Sequence, residues 1–247
     1  MPRRRRTTQE SPWRKTVALV ALVGCAGVVA AVFGLDKGCW RLNHPDPARF
    51  PIWGVDVSHH QGPIDWPRVA SEPHIAFAFI KATEGGDWTD PRFATNWREA
   101  RAAGLLVGAY HFFTFCRPPL DQARHFLATA PREPDALPAA LDLELEGNCS
   151  AVPEKKEVQR DVLLWLEAVE RGQGKRPIIY TTSESYEALL SGASFSSVTW
   201  IRGVLAEPQR PVGWGFWQFD ERARVRGIET PVDLDVFRGD REALTHL

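Results

Sequence analysis

The 247-residue chain has no glycine-rich phosphate loop, no His-x-His or His-x-x-x-His pair, and only four cysteines. Its first apolar strand candidate runs into Ser58-His59-His60-Gln61-Gly62, which lacks the glycine spacing that brings a backbone against a pyrophosphate, and this weighs against a doubly wound nucleotide-binding sheet. Zinc is disfavoured on similar grounds: His59 and His60 are adjacent, so on an extended chain they face opposite ways. No metal and no cofactor is expected.

Charge is missing altogether from Thr16 to Leu35. The net charge of −1 hides an asymmetry. Residues 1–15 hold Arg3, Arg4, Arg5, Arg6, Arg14 and Lys15 against Glu10, a net of +5, which leaves −6 on the remainder. The basic head alone would suit a nucleic-acid arm, but the uncharged run that follows has the length to cross a hydrocarbon core about 30 Å thick. Positive charge before such a run predicts a cytoplasmic N-terminus and export of everything after Asp36. The expected organisation is therefore a basic head over 1–15, a single-pass anchor over 16–35, a tether over 36–50 and one catalytic domain over 51–247. A cleaved signal peptide, or lipid attachment at Cys25 within Leu22-Val23-Gly24-Cys25, shares the same export step. Nucleic acid is not expected as a partner, and the protein is expected to be a monomer.

Beyond residue 51, short apolar runs alternate with amphipathic or turn-rich segments. The strand candidates are 53–57, 75–81, 105–112, 139–143, 177–181, 199–202, 215–219 and 232–237; the helix candidates are 65–71, 91–103, 120–130, 154–171 and 183–190. Eight strands with interleaved helices predict an α/β fold, a parallel (β/α) TIM-like barrel. Between Thr199 and Phe237 there is little room for crossover helices, so the barrel is expected to be irregular, its last strands joined by loops. Cys116 and Cys149 each follow a strand by a few residues, which in a barrel puts both on one rim. With export, they predict a disulfide.

The chemistry is concentrated in Leu137-Pro138-Ala139-Ala140-Leu141-Asp142-Leu143-Glu144, an apolar run ending in two carboxylates two residues apart. On a strand, such residues project from the same face. Two neighbouring carboxylates cannot both ionise cheaply, and a carboxyl that stays protonated near neutral pH is what cleavage of a glycosidic bond requires. Capping a helix, pairing with arginine or binding calcium are the other uses of such residues. In barrels the active site forms at the C-terminal ends of the strands. That rule gathers Asp56, Glu84, Tyr110, His111, Asp142, Glu144 and Asp233 on one rim.

Six ordered segments then resemble glycoside hydrolase family 25, the Chalaropsis-type lysozymes or N,O-diacetylmuramidases. They are Gly54-Val55-Asp56-Val57-Ser58-His59-His60-Gln61-Gly62, Ile80-Lys81-Ala82-Thr83-Glu84-Gly85, Gly108-Ala109-Tyr110-His111-Phe112, Leu141-Asp142-Leu143-Glu144, Pro177-Ile178-Ile179-Tyr180 and Val232-Asp233-Leu234-Asp235-Val236-Phe237. The resemblance implies hydrolysis of the β-1,4 bond between N-acetylmuramic acid and N-acetylglucosamine in peptidoglycan. It makes Glu144 the general acid and Asp142 the partner that steers the substrate's own 2-acetamido group, with Asp56 and Asp233 positioning sugar and water. Sugar recognition is expected from Tyr110, Tyr180 and Trp217, with Trp214 a further candidate, a hydrogen bond from Gln218, and Glu84 either touching substrate or pairing with a nearby Lys or Arg. Two features depart from or complicate the pattern. Arg202-Gly203-Val204-Leu205 stands where the family often has a small residue and an aromatic, and Glu146 competes for the acid role if the strand continues past Leu145. A non-catalytic peptidoglycan-binding barrel, or an amidase or metal-dependent deacetylase acting on the same polymer, are the rival readings.

Overall fold

The computed structural model describes residues 12–36, 43–210 and 213–247. The chain divides into two units, residues 1–40 and 41–247. In the first, the backbone of Pro12–Asp36 is helical (α1). Among the described residues no helix is long and apolar enough to cross a membrane, so the expected anchor is not supported. Most of the basic head, and Cys39 with the first part of the tether, lie outside the described residues.

The second unit is a closed eight-stranded barrel. Its strands are β1 (Ile52–Val57), β2 (Ile75–Glu84), β4 (Leu106–Phe112), β5 (Ala140–Leu143), β6 (Ile178–Thr182), β7 (Thr199–Arg202), β8 (Phe216–Ala223) and β9 (Val232–Phe237). They are neighbours in that order, and β9 closes on β1. A two-residue strand, β3 (Trp88–Thr89), folds back on the end of β2. Helices α2 (Trp66–Ala70), α3 (Phe93–Ala102), α4 (Pro119–Thr129) and α5 (Lys155–Gln173) separate the early strands. After β6 come only a short α6 (Ser183–Ser185) and a π-turn (Tyr186–Leu190), then loops, as the thinning of helical signal predicted. One expectation fails. β9 runs antiparallel to both β8 and β1, so the barrel is not wholly parallel.

Strand alternation sorts the side chains into two cores. Outward-facing Val55, Val57, Ile80, Val107, Leu141, Leu143, Ile179, Leu234 and Val236 meet Trp97, Phe126, Val162, Trp165 and Leu166 of the surrounding helices. Inward-facing Phe77, Phe79, Ala140, Ile178, Trp200, Phe216 and Phe237 fill the lower barrel. Phe79 stacks on Trp200 at 4.7 Å and meets Phe216 edge-on at 5.5 Å. Two glycines create the space for this packing: a Cβ on Gly54 would sit 2.2 Å from the Phe77 ring, and one on Gly108 would sit 2.3 Å from Phe79.

His111 faces outward and joins β4 to α4. Gln122 Nε2 donates to the carbonyls of Thr114 and Arg117, and Gln122 Oε1 accepts from Thr114 N–H, all at 2.9 Å. The amide oxygen is thereby fixed as an acceptor, so His111 Nε2 carries the proton toward it (3.1 Å) and Nδ1 accepts from the Thr83 hydroxyl (2.8 Å). Burial pushes the His111 pKa down to about 3, which keeps the ring neutral. His111 is therefore structural. Cys116 and Cys149 form the expected disulfide, Cα–Cα 6.0 Å, between the loops after β4 and β5.

Candidate active site

The upper end of the barrel opens into a cleft of about 360 Å³ lined by Asp56, Tyr110, Asp142, Glu144, Tyr180, Trp200, Arg202, Gln218, Glu221, Arg222 and Asp233. Most of these belong to the same inward-facing rows that lower down hold the aromatic core. Asp56 follows Gly54, Asp142 follows Ala140, Tyr180 follows Ile178, Arg202 follows Trp200 and Gln218 follows Phe216, each two residues on. On β9 the order is reversed because the strand is, so Asp233 lies at the mouth, directly opposite Asp56 in the ladder.

A hydrogen-bonded chain crosses the cleft. The Tyr180 hydroxyl donates to Gln218 Oε1 at 2.9 Å, and Gln218 Nε2 donates to Asp56 Oδ2 at 2.7 Å. Asp235, a step below Asp233 and fully buried, accepts from Trp200 Nε1 at 2.7 Å. Burial pushes the Asp56 pKa up to about 6 against hydrogen bonds from Gln218, Asp235 and Asp233. Burial, then the neighbouring Asp56 charge, raises Asp233 and Asp235 well above the usual carboxylate range.

Asp142 and Glu144 form a second coupled group. Burial, then the Glu144 charge, raises Asp142 well above its ordinary value, with Lys81 opposing. Burial also raises Glu144, opposed by Arg202 and Tyr180 and reinforced by Glu146 and Glu221. Such a pair titrates as a unit, and its singly protonated form persists to higher pH than an isolated carboxyl. Asp142 Oδ1 and Glu144 Oε1 are buried and accept no hydrogen bond among the described residues. A carboxyl oxygen desolvated without a partner is held at a cost, and both residues line the cleft.

Of the residues expected from the sequence, Asp56, Asp142, Glu144, Asp233, Tyr110, Tyr180 and Gln218 converge on the cleft. Trp217 does not: it precedes Gln218 on β8, points outward, and its Nε1 donates to the Gly203 carbonyl at 2.9 Å. Trp214 likewise stacks on Phe50 outside the barrel. Glu84 pairs with Lys81 at 2.7 Å and does not line the cleft. Lys81 itself lies over the rings of Trp88 and Phe112. Glu146 is a turn residue beyond the end of β5, its side chain 82% exposed, and it does not line the cleft. The sequence reading missed Trp200, Arg202, Glu221, Arg222 and Asp235 as site residues. The signal for Asp235 was parity with Asp233 on the same strand, whereas no residue of β7 had been assigned to point to Trp200 or Arg202. Arg202, the departure noted above, lies between Glu221 (3.6 Å) and Glu146 (4.0 Å) at the cleft edge.

A barrel whose mouth presents paired, burial-tuned carboxyls beside tyrosine and tryptophan defines a glycoside hydrolase. The profile of Glycosyl hydrolases family 25 matches residues 55–228, and the chain belongs to that family. It is 42% identical to the uncharacterized protein YegX of Escherichia coli K12, over 80% of this chain and 74% of that protein. It is 33% identical to lysozyme M1 of Streptomyces globisporus, over 79% and 71%. Among solved structures, the family 25 glycosyl hydrolase from Bacillus anthracis superposes with a TM-score of 0.77 at 36% identity, covering 83% of this chain and 95% of that one.

Proposed function

We propose that this protein is a muramidase that hydrolyses the β-1,4 bond between N-acetylmuramic acid and N-acetylglucosamine in peptidoglycan. The observation that carries this reading is the Asp142–Glu144 pair, two carboxyls that line the cleft together and are both raised by burial. The similarity to lysozyme M1 and to the N,O-diacetylmuramidase of Arthroderma benhamiae supports the substrate class. The singly protonated pair is the working form. Glu144 gives its proton to the leaving glycosidic oxygen as the bond to the anomeric carbon breaks, while the substrate's acetamido oxygen closes on that carbon and Asp142 accepts the amide N–H. Water then attacks the anomeric carbon, with Glu144 taking back a proton and the acetamido oxygen departing. Asp56 and Asp233 hold the sugar and the incoming water from the opposite wall. The disulfide between two loops at the mouth supports a catalytic domain that works in an oxidising, exported setting.

Release of reducing ends from purified peptidoglycan tests the assignment. Glu144→Gln is expected to lower kcat by about 10²- to 10⁴-fold while leaving the fold intact. Wild-type turnover in that variant overturns Glu144 as the acid. A glycan whose acetamido group is replaced by hydroxyl is expected to resist cleavage, and its efficient turnover would overturn substrate assistance alone.

A further inference from the structure

Glu144 is the first residue past the end of β5, so its side chain depends on how the following loop is held. That loop is fixed with unusual completeness. Gly147, at φ +72°, turns the chain back toward the strand. Asn148 then reaches across it: Nδ2 donates to the Glu144 carbonyl at 3.0 Å and to the Phe113 carbonyl at 2.8 Å, while Oδ1 accepts from Phe115 N–H at 2.9 Å. From the other side, Leu145 N–H donates to Ser185 Oγ at 3.0 Å. The neighbouring strand ends are also tied, Phe113 N–H donating to the Asp142 carbonyl at 2.9 Å. The residue after Asn148 is Cys149, bonded to Cys116 just beyond Phe115. One amide thus uses its donor and acceptor groups to join the backbone of the acid to the preceding loop, and one covalent bond keeps that amide in register.

We propose that Asn148, held by the Cys116–Cys149 disulfide, is a positioning residue for the reaction: it fixes the backbone that aims the Glu144 carboxyl into the cleft. This rests on Glu144 being the acid. Neither Asn148 nor the disulfide lines the cleft, so their loss acts on orientation and not on substrate contact. Displacements of about 1 Å at a reacting group can cost on the order of 10²-fold in rate.

The decisive comparison sets the full-length wild type beside Asn148→Ala, Asn148→Asp, Cys116→Ser/Cys149→Ser and Glu144→Gln. Steady-state kinetics on purified peptidoglycan are measured across pH, with the folded fraction determined for each protein. Asn148→Ala is expected to lose about 10- to 100-fold in kcat per folded molecule, with KM within about twofold. Asn148→Asp keeps the acceptor but loses both donors and is expected to behave like the alanine variant. The double serine variant is expected to fall between them and the wild type. The groups facing Glu144 are Arg202 from β7, Tyr180 from β6, Asp142 from β5, Glu221 from β8, Asp56 from β1 and Glu146 from its own loop. A loosened carboxyl gains water, and its pKa relaxes toward the ordinary glutamate value, so the basic limb of the kcat/KM profile should move to lower pH. A purely structural role would reduce the folded fraction and leave the profile of the folded molecules unmoved, and that result overturns the proposal. If Asn148→Ala does not fold, the serine variant decides by the same kcat and pH readout. Inactivity of Glu144→Gln together with wild-type kinetics in Asn148→Ala removes the positioning role alone, whereas full activity of Glu144→Gln removes the acid assignment and this inference with it.

Discussion

The lower and upper halves of the barrel interior are built from the same strands and the same inward rows, yet they are chemically opposite. Below, Phe77, Phe79, Trp200, Phe216 and Phe237 form a dry aromatic plug. Two residues further toward the mouth, those rows become Asp56, Asp142, Tyr180, Arg202, Gln218 and Asp235. The plug holds the strands at fixed positions, and the mouth uses that rigidity to keep carboxyls close together and short of water. The two halves are coupled by Trp200, whose ring stacks on Phe79 below and whose indole N–H binds Asp235 above. Stability resides in one layer and is partly expended in the next, where burial raises every carboxyl of the cluster.

Substitutions that act on one layer and spare the other test this division. The largest effect should come from the plug: Phe79→Ala removes a fully buried ring and is expected to destabilise the barrel by about 3–5 kcal/mol, read from the urea midpoint. Next comes Asp56→Asn, which should abolish activity and yet flatten the pH dependence of stability. An acid whose folded-state pKa lies above its unfolded value contributes stability below the unfolded pKa and loses it as pH rises through the folded one. For Asp56 that window runs from about 4 to about 6. Between pH 4 and pH 7 the wild type should therefore lose more stability than the variant, on the order of 2 kcal/mol. His111, whose pKa moves the other way, contributes equally to both proteins and cancels. An unchanged pH slope in Asp56→Asn would show that the mouth carries no such cost. The smallest effect belongs to Trp217→Phe, expected to cost about 1 kcal/mol for its lost hydrogen bond to Gly203 and to leave kcat and KM within about twofold. A large rise in KM would return Trp217 to the substrate surface.

Strand positions and the Asp142–Glu144 pair were legible because period-two alternation needs no tertiary information. The same rule exposes an error in the sequence reading: Trp217 and Gln218 are consecutive on one strand, so both could not face the cleft. Asp235 was available through parity with Asp233 but resembled motif filler until the barrel closed, and Arg202 had no assigned residue on its strand to share a face with. The reversal of β9 was not legible in the sequence. The strand candidates 215–219 and 232–237 left residues 220–231 between them, about the dozen a parallel crossover takes, and only the extension of β8 to Ala223 shortens that gap to 224–231. Glu84 was harder to place, because an irregularity between Lys81 and Thr83 shifts the register just before it.

That reversed strand has a mechanical corollary. By running downward it delivers the chain to the floor of the barrel, where the turn of helix over Arg241–Thr245 tucks the fully buried Leu244 in beside the aromatic plug. The segment over Arg241–Thr245 is thus a stopper seated at the pole opposite the cleft, and removing it would wet the barrel from beneath.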